Sequence, residues 1–426
     1  MRALRAKLGL VVAVAVVAAV AAGAAAGTRA KVQRPLLCPI GSLFRDTREA
    51  SLSPNGGALA EFRSLSSVVP DPLPSSLWVA DLASGRTRFR RDTTPLNIQF
   101  ADPLWSPDGG RIAMFAPSVV AILRADGSGT PELFRGFGQL EAEGWSPDGR
   151  SILVASTLAG QTATTQHQLL LHLADGSITD LGRGEQGAIS PDGRQVAIID
   201  DNELLIEDIA TRATKDLGFA DVRDAGAYYI QFSGIVWSPA GDSVAYVTHP
   251  GFSAIGYLNI TTVDGASNRT VGDGTFNTAS PPGLIWTSAG IIGAKGGDLP
   301  GVDSGLAVLD PVSGDTRLLA TTSNTTFPIG FDVGRNRVAY AIFTNVIQSQ
   351  HTRMGFRSVS VDGSGDRPLL PCKPNGYDSV LGTSLNDVID VVNGKPDAVR
   401  CLGGNDTVTA DRKDTIFGDC EHVIRR

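Results

Sequence analysis

The sequence predicts an all-β fold made of repeated units, followed by a smaller β-rich tail. Three observations carry that prediction. The first is a recurrent turn. Trp105-Ser106-Pro107-Asp108-Gly109 returns as Trp145-Ser146-Pro147-Asp148-Gly149 and as Ile189-Ser190-Pro191-Asp192-Gly193. Weaker copies are Leu52-Ser53-Pro54-Asn55-Gly56 and Trp237-Ser238-Pro239-Ala240-Gly241, and two more have lost the proline, Trp286-Thr287-Ser288-Ala289-Gly290 and Phe331-Asp332-Val333-Gly334. Ser, Pro, Asp and Gly in that order suit a type I β-turn, because proline presets φ and glycine tolerates the exit geometry. The second is what flanks the turn. A bulky apolar residue precedes it and a β-rich run follows, as in Arg111-Ile112-Ala113-Met114-Phe115 and Gln195-Val196-Ala197-Ile198-Ile199, so each unit reads as strand, tight turn, strand. The third is spacing. The anchors Ser53, Ser106, Ser146, Ser190, Ser238, Thr287 and Asp332 are 40 to 53 residues apart, the period of a four-stranded propeller blade. Seven anchors predict a seven-bladed β-propeller, with six blades as the alternative because the last two motifs are eroded.

In chain order, residues 1–30 come first and read as a signal peptide or an N-terminal membrane anchor. Arg2, Arg5 and Lys7 form a positive start, residues 8–26 are apolar, and Ala24-Ala25-Ala26 offers a small-residue cleavage site. About 19 apolar residues could also just span a bilayer. Either way the bulk of the chain is expected outside the cytoplasmic membrane, at a cell surface, in the medium or in a periplasm-like space.

Residues 38–371 form the propeller. Strands that complete the blades are Leu77-Trp78-Val79-Ala80-Asp81-Leu82 in the first unit, Glu203-Leu204-Leu205-Ile206-Glu207-Asp208 in the fourth and Ser358-Val359-Ser360-Val361 in the last, where Arg367-Pro368-Leu369-Leu370 supplies the fourth strand. Four of the five tryptophans stand one residue before a turn, which predicts that their rings pack between adjacent blades. The turn-plus-strand unit resembles the WD40-like (PD40) repeat of the TolB-type β-propellers over residues 43–370. That resemblance implies a propeller that presents loops to a partner. TolB-type proteins carry an α/β domain ahead of the propeller. Here only about ten residues separate the cleavage region from Cys38, so that domain is expected to be missing and the role of TolB in envelope complexes does not carry over.

Residues 372–426 form a different repeat. An Asp-x-apolar core recurs at Asp387, Asp397, Asp406 and Asp414, every 8 to 10 residues. This pattern resembles a degenerate RTX, haemolysin-type nonapeptide, whose Gly-rich turns bind Ca²⁺ between the coils of a parallel β-roll. The resemblance implies a small β-roll-like tail, with Asn386, Asp387, Asp397, Asn405 and Asp406 as the candidate calcium ligands. Leu385 stands where a turn glycine belongs and Pro396 sits inside another turn, so at most one or two weak sites are expected.

The four cysteines are even in number, and in an oxidising compartment they pair. The expected pairs are Cys38–Cys372, where the first and last blades meet, and Cys401–Cys420, a staple within the tail. A net charge of −7 without a Lys/Arg-rich run argues against nucleic acid. There is no Gly-x-Ser-x-Gly elbow, His-Glu-x-x-His helix, Walker A or dinucleotide fingerprint, and the five histidines are scattered. The expected function is therefore an exported, non-enzymatic binding or scaffolding propeller with an unidentified protein or cell-envelope partner and no cofactor beyond possible Ca²⁺ in the tail. The alternatives are a propeller enzyme of lyase or lactonase type at the mouth of the central channel, and a calcium-dependent surface protein acting through its tail.

Overall fold

The structure is a computed structural model. It describes residues 35–37, 43–44, 50–64, 75–84, 87–93, 95, 103–116, 118–158, 166–200, 203–218, 230–250, 256–277, 283–296, 305–321, 325–332, 334–346, 351–369, 379–381, 386–401 and 403–426. The predicted signal segment, residues 1–30, and both halves of the predicted Cys38–Cys372 pair lie outside these residues.

Seven antiparallel blades follow one another along the chain, each with its four strands in chain order. Their inner strands are Ala50–Leu52, Leu104–Trp105, Phe137–Trp145, Gln186–Ile189, Ile230–Trp237, Leu284–Thr287 and Thr325–Asp332. Each touches the next, and the seventh touches the first, so the ring is closed with seven blades rather than six. The fifth and sixth blades share one continuous sheet through Phe276↔Lys295 and Asn277↔Ala294.

The middle strands are apolar on both sides because both faces pack against neighbouring blades. Arg111–Ala116 is buried at all but its first residue, whereas the outer strand Thr87–Asp92 is mostly exposed. An apolar cluster fills each of the seven seams. In the second seam, for example, Ala113 and Phe115 meet Ile152 and Val154. In the last, Leu52 and Leu59 meet Ile329 and Ala339. Burying each such side chain contributes about 1.5–3 kcal/mol.

The recurrent turn does more than reverse the chain. In the second blade, Gly109 N–H donates to Ser106 O at 2.8 Å and closes the turn. The Ser106 hydroxyl donates to Asp108 Oδ1 at 2.5 Å and accepts from Arg111 N–H at 2.9 Å. The bonds repeat at Ser146–Asp148 and Ser190–Asp192. Each turn glycine, held at positive φ, also packs on the proline of the previous blade's turn: Gly109 on Pro54, Gly149 on Pro107, Gly193 on Pro147 and Gly241 on Pro191. At the closing seam Asp332 takes the proline's place against Gly56. The tryptophans tie the same neighbours together. Trp105 Nε1 donates to Ser51 O at 3.1 Å, Trp145 Nε1 to Leu104 O at 3.0 Å and Trp237 Nε1 to Ala188 O at 2.8 Å.

The tail is a two-sheet parallel roll. Ser379–Leu381, Ala398–Arg400 and Thr415–Ile416 form one sheet; Val388–Asp390, Thr407–Ala410 and His422–Arg425 form the other. Ile389, Val391, Val399, Val408 and Ala410 fill its core beside Cys401 and Cys420, which are disulfide-bonded with their Cα atoms 5.2 Å apart.

Both ends of the propeller converge on the last blade and the roll. Pro35–Leu37 adds a parallel strand to the roll, with Pro35 opposite Ser379. Leu43–Phe44 then pairs with the third strand of the seventh blade, opposite Arg353 and Thr352. The fourth strand of that blade was expected over residues 367–370, but it is only Arg367–Pro368. The N-terminal segment therefore continues the same edge of the blade.

Candidate functional site

The predicted calcium ligands stand on successive rungs of the roll, and main-chain and side-chain donors meet their oxygens. Asp406 Oδ1 accepts Asp387 N–H at 2.7 Å, and Asp406 N–H donates to Glu421 Oε2 at 2.8 Å. On the other side, Asp414 Oδ1 accepts Asp397 N–H at 2.9 Å, and Asp397 Oδ2 accepts from Asn393 Nδ2 at 2.7 Å. Asn386 Oδ1 accepts Asn405 N–H at 2.7 Å. Asp406, Asp414 and Glu421 each cap an N–H of the rung before. Burial pushes the Asp406 and Asp414 carboxyls up, against the lowering effect of those N–H donors. Asp406 keeps Oδ2 buried without a hydrogen bond. Calcium needs six to eight oxygen ligands. Among the described residues no three His, Cys, Asp or Glu side chains are grouped to hold a metal. Asn386, Asp387, Asp397, Asn405 and Asp406 are thus brought onto neighbouring rungs of the roll.

Asp387 has a different partner. Its Oδ1 lies 3.2 Å from Arg357 Nη1, and both side chains are out of contact with solvent. Arg357, in the third strand of the seventh blade, also donates to Asn386 O at 2.7 Å and pairs with Asp366 at 3.1 Å. Tyr340 donates to Asp366 at 2.8 Å. Burial works against the charge on Arg357, but Asp366 first, then Tyr340 and Asp387, hold it protonated with its pKa raised. Burial likewise pushes the Tyr340 phenol up. This network joins propeller to roll. Sequence reasoning missed it, although an arginine in the strand Met354-Gly355-Phe356-Arg357-Ser358-Val359 interrupts an otherwise uncharged run.

Where the ring closes, the seventh and first blades enclose a pocket of about 390 Å³. Leu52 and Leu82 line it from the first blade; Asp332, Arg335, Arg337 and Arg367 line it from the seventh. Arg337 is spent on main-chain oxygens, Ser358 O at 2.7 Å and Gly365 O at 2.5 Å. Asp332 is buried, accepts Arg335 N–H at 3.1 Å and meets the Arg335 guanidinium at 3.4 Å.

One acidic side chain stands out between the third and fourth blades. Glu143 as a residue keeps part of its surface, but its carboxyl is enclosed, and burial pushes its pKa well up against hydrogen bonds from Gly187 and Gln168.

No family model matches the chain, and no curated protein matches it either. Solved structures do. The β-propeller domain of the Trilobed protease from Pyrococcus furiosus is 12% identical over 78% of this chain and 98% of that one, with a TM-score of 0.52. Puromycin hydrolase is 15% identical over 76% of this chain and 54% of that one, with a TM-score of 0.54. A putative TolB from Agrobacterium tumefaciens is 17% identical over 59% of this chain and 90% of that one, with a TM-score of 0.42. The chain thus spans about half the length of the hydrolase it resembles. The expectation that the chain is not an enzyme is corrected by these comparisons. Proteins that share the fold include a hydrolase, so missing motifs on a propeller do not make the chain non-enzymatic. What the comparisons establish is the β-propeller fold.

Proposed function

We propose that the chain is an exported β-propeller that binds a protein or ligand of the cell envelope. The pocket at the closing seam carries this reading. It is concave, it presents three arginines against one buried aspartate, and it sits on a ring whose recurrent turns are committed to contacts with neighbouring blades. Export is supported by the charged and then apolar start of the sequence and by the Cys401–Cys420 bond in the roll. A photoreactive residue at Ala83, on the pocket rim, should cross-link the full chain to one envelope component. The same residue at Val312, 80% exposed on the sixth blade, should not. Equal labelling from both positions, or none from Ala83, would contradict the reading.

Glu143 favours a second reading. A carboxyl whose pKa is raised by burial, next to a hydrogen-bond donor, is a candidate general acid. A turnover abolished by Glu143→Gln with the fold intact would select this reading.

A further inference from the structure

We propose that the closing seam is an oxyanion site in which Arg367 and Arg335 grip a carboxylate or phosphate group. This inference rests on reading the pocket as the binding face, and it adds the chemistry of the ligand.

In three blades a cation near the start of the fourth strand reaches the turn that follows the third strand of the next blade. Lys215 Nζ donates to Val263 O at 3.1 Å. Arg269 Nη1 donates to Val312 O at 3.1 Å, and its Nη2 to Pro311 O. Arg317 Nη2 donates to Val361 O at 2.5 Å. These latches close the fourth, fifth and sixth blades onto their successors.

Arg367 holds the corresponding position in the seventh blade. Val361-Asp362-Gly363-Ser364-Gly365-Asp366-Arg367 repeats the spacing of Val263-Asp264-Gly265-Ala266-Ser267-Asn268-Arg269. Its counterpart on the first blade is the turn at Leu82 and Ala83. Yet Arg367 is exposed and makes no hydrogen bond or ion pair among the described residues, while Leu82, Ala83 and Arg367 all line the pocket of about 390 Å³. Where the fourth, fifth and sixth blades are latched onto their successors, this seam is lined with positive charge that makes no such contact.

Two further features bear on that charge. Asp332 is turned into the seam, where it packs against Gly56 and binds the main chain of Arg335. Arg335 is 62% exposed, with one long contact to Asp332. Burial, followed by the nearness of Arg367, lowers the pKa of Arg337 against the raising effect of Asp366, Asp362 and Asp332. A planar guanidinium matches the two oxygens of a carboxylate or phosphate, and two such groups at the mouth of a small pocket select an oxyanion over a neutral ligand.

The test is calorimetry on the full chain with phosphate and with succinate. Saturable one-to-one binding is expected. Arg367→Gln should weaken it about ten-fold or more, since a charge-assisted bond is lost. Arg367→Lys should weaken it less, and Arg194→Gln, an 82% exposed control on the fourth blade, should leave it unchanged. Arg335→Gln supplies a second variant should Arg367→Gln lose its fold by circular dichroism. Tighter phosphate points to a phosphoryl-bearing ligand, and tighter succinate to a carboxylate-bearing one. Absence of saturable binding to the wild type, equal affinity in Arg367→Gln and wild type, or an equal loss in Arg194→Gln would overturn the proposal. Envelope cross-linking from Ala83 would survive that outcome if only the ligand chemistry were wrong.

Discussion

Replacing Arg357 by methionine should uncouple the roll from the propeller. The guanidinium is completely buried and serves two carboxylates and a carbonyl. Without it, Asp366 can still be reached by water, since its side chain is 16% exposed, but Asp387, at 1%, cannot. The cost therefore falls on Asp387. Removing one partner of a buried pair costs about 3–5 kcal/mol, because a desolvated charge is left without its counterion. Methionine fills much of the same volume, which separates the charge effect from a cavity. The double variant Arg357→Met, Asp387→Asn removes the stranded charge and should recover most of the loss. All five tryptophans precede residue 372, so their fluorescence reports the propeller alone, whereas circular dichroism reports both parts. In urea, the Arg357→Met chain should lose part of its dichroism before its tryptophan emission changes. Coincident transitions within about 0.5 kcal/mol of the wild type, the ordinary range for a surface change, would refute the reasoning.

Three further outcomes follow from local geometry. Asp148→Ala removes the acceptor of Ser146 Oγ at 2.7 Å and Arg150 N–H at 2.9 Å, and should cost about 0.5–1 kcal/mol because the carboxylate is exposed to solvent. Those bonds, the Ser146 hydroxyl first, hold the Asp148 carboxyl below its ordinary range, so their contribution is present above that range and lost as pH falls through the lowered value. Urea midpoints of variant and wild type should converge in acid. Gly56→Ala should cost about 1–3 kcal/mol, since φ is +64° and the new Cβ would stand 2.3 Å from Asp332; Gly109→Ala, with its nearest neighbour Pro54 at 3.8 Å, should shift the thermal midpoint less. Replacing both Cys401 and Cys420 by serine opens a loop of 19 residues and should cost the roll about 3 kcal/mol, read as earlier loss of dichroism.

The ring was legible because its signals are local. Ser, Pro, Asp and Gly specify a turn, and their period specifies the blade. That the proline of one turn carries the glycine of the next is a tertiary fact with no separate trace in the sequence. Arg357 and Arg367 were missed for the same reason: each acquires its meaning only when the seventh blade meets the roll or the first blade. The Asp residues of the roll are legible only in part. An aspartate on each rung produces the same periodicity whatever its oxygens hold, and the caps of Asp406 on Asp387 N–H and of Asp414 on Asp397 N–H have no separate trace in the sequence. The absence of catalytic motifs was legible too, but the same fold in a hydrolase shows how little that absence decides.

The proposal that the chain is exported, with its first strands meeting the last blade and the roll, has a direct test. Residues 35–37 lie on the roll and residues 43–44 on the seventh blade, and in the sequence Cys38 falls between them as Cys372 falls between Pro368 and Ser379. Non-reducing peptide mapping of protein recovered from the cells that make it tests both halves of the claim at once. Cys38 joined to Cys372 and Cys401 joined to Cys420 is the expected result. Cys38 recovered as a free thiol, or joined to Cys401 or Cys420, would contradict it.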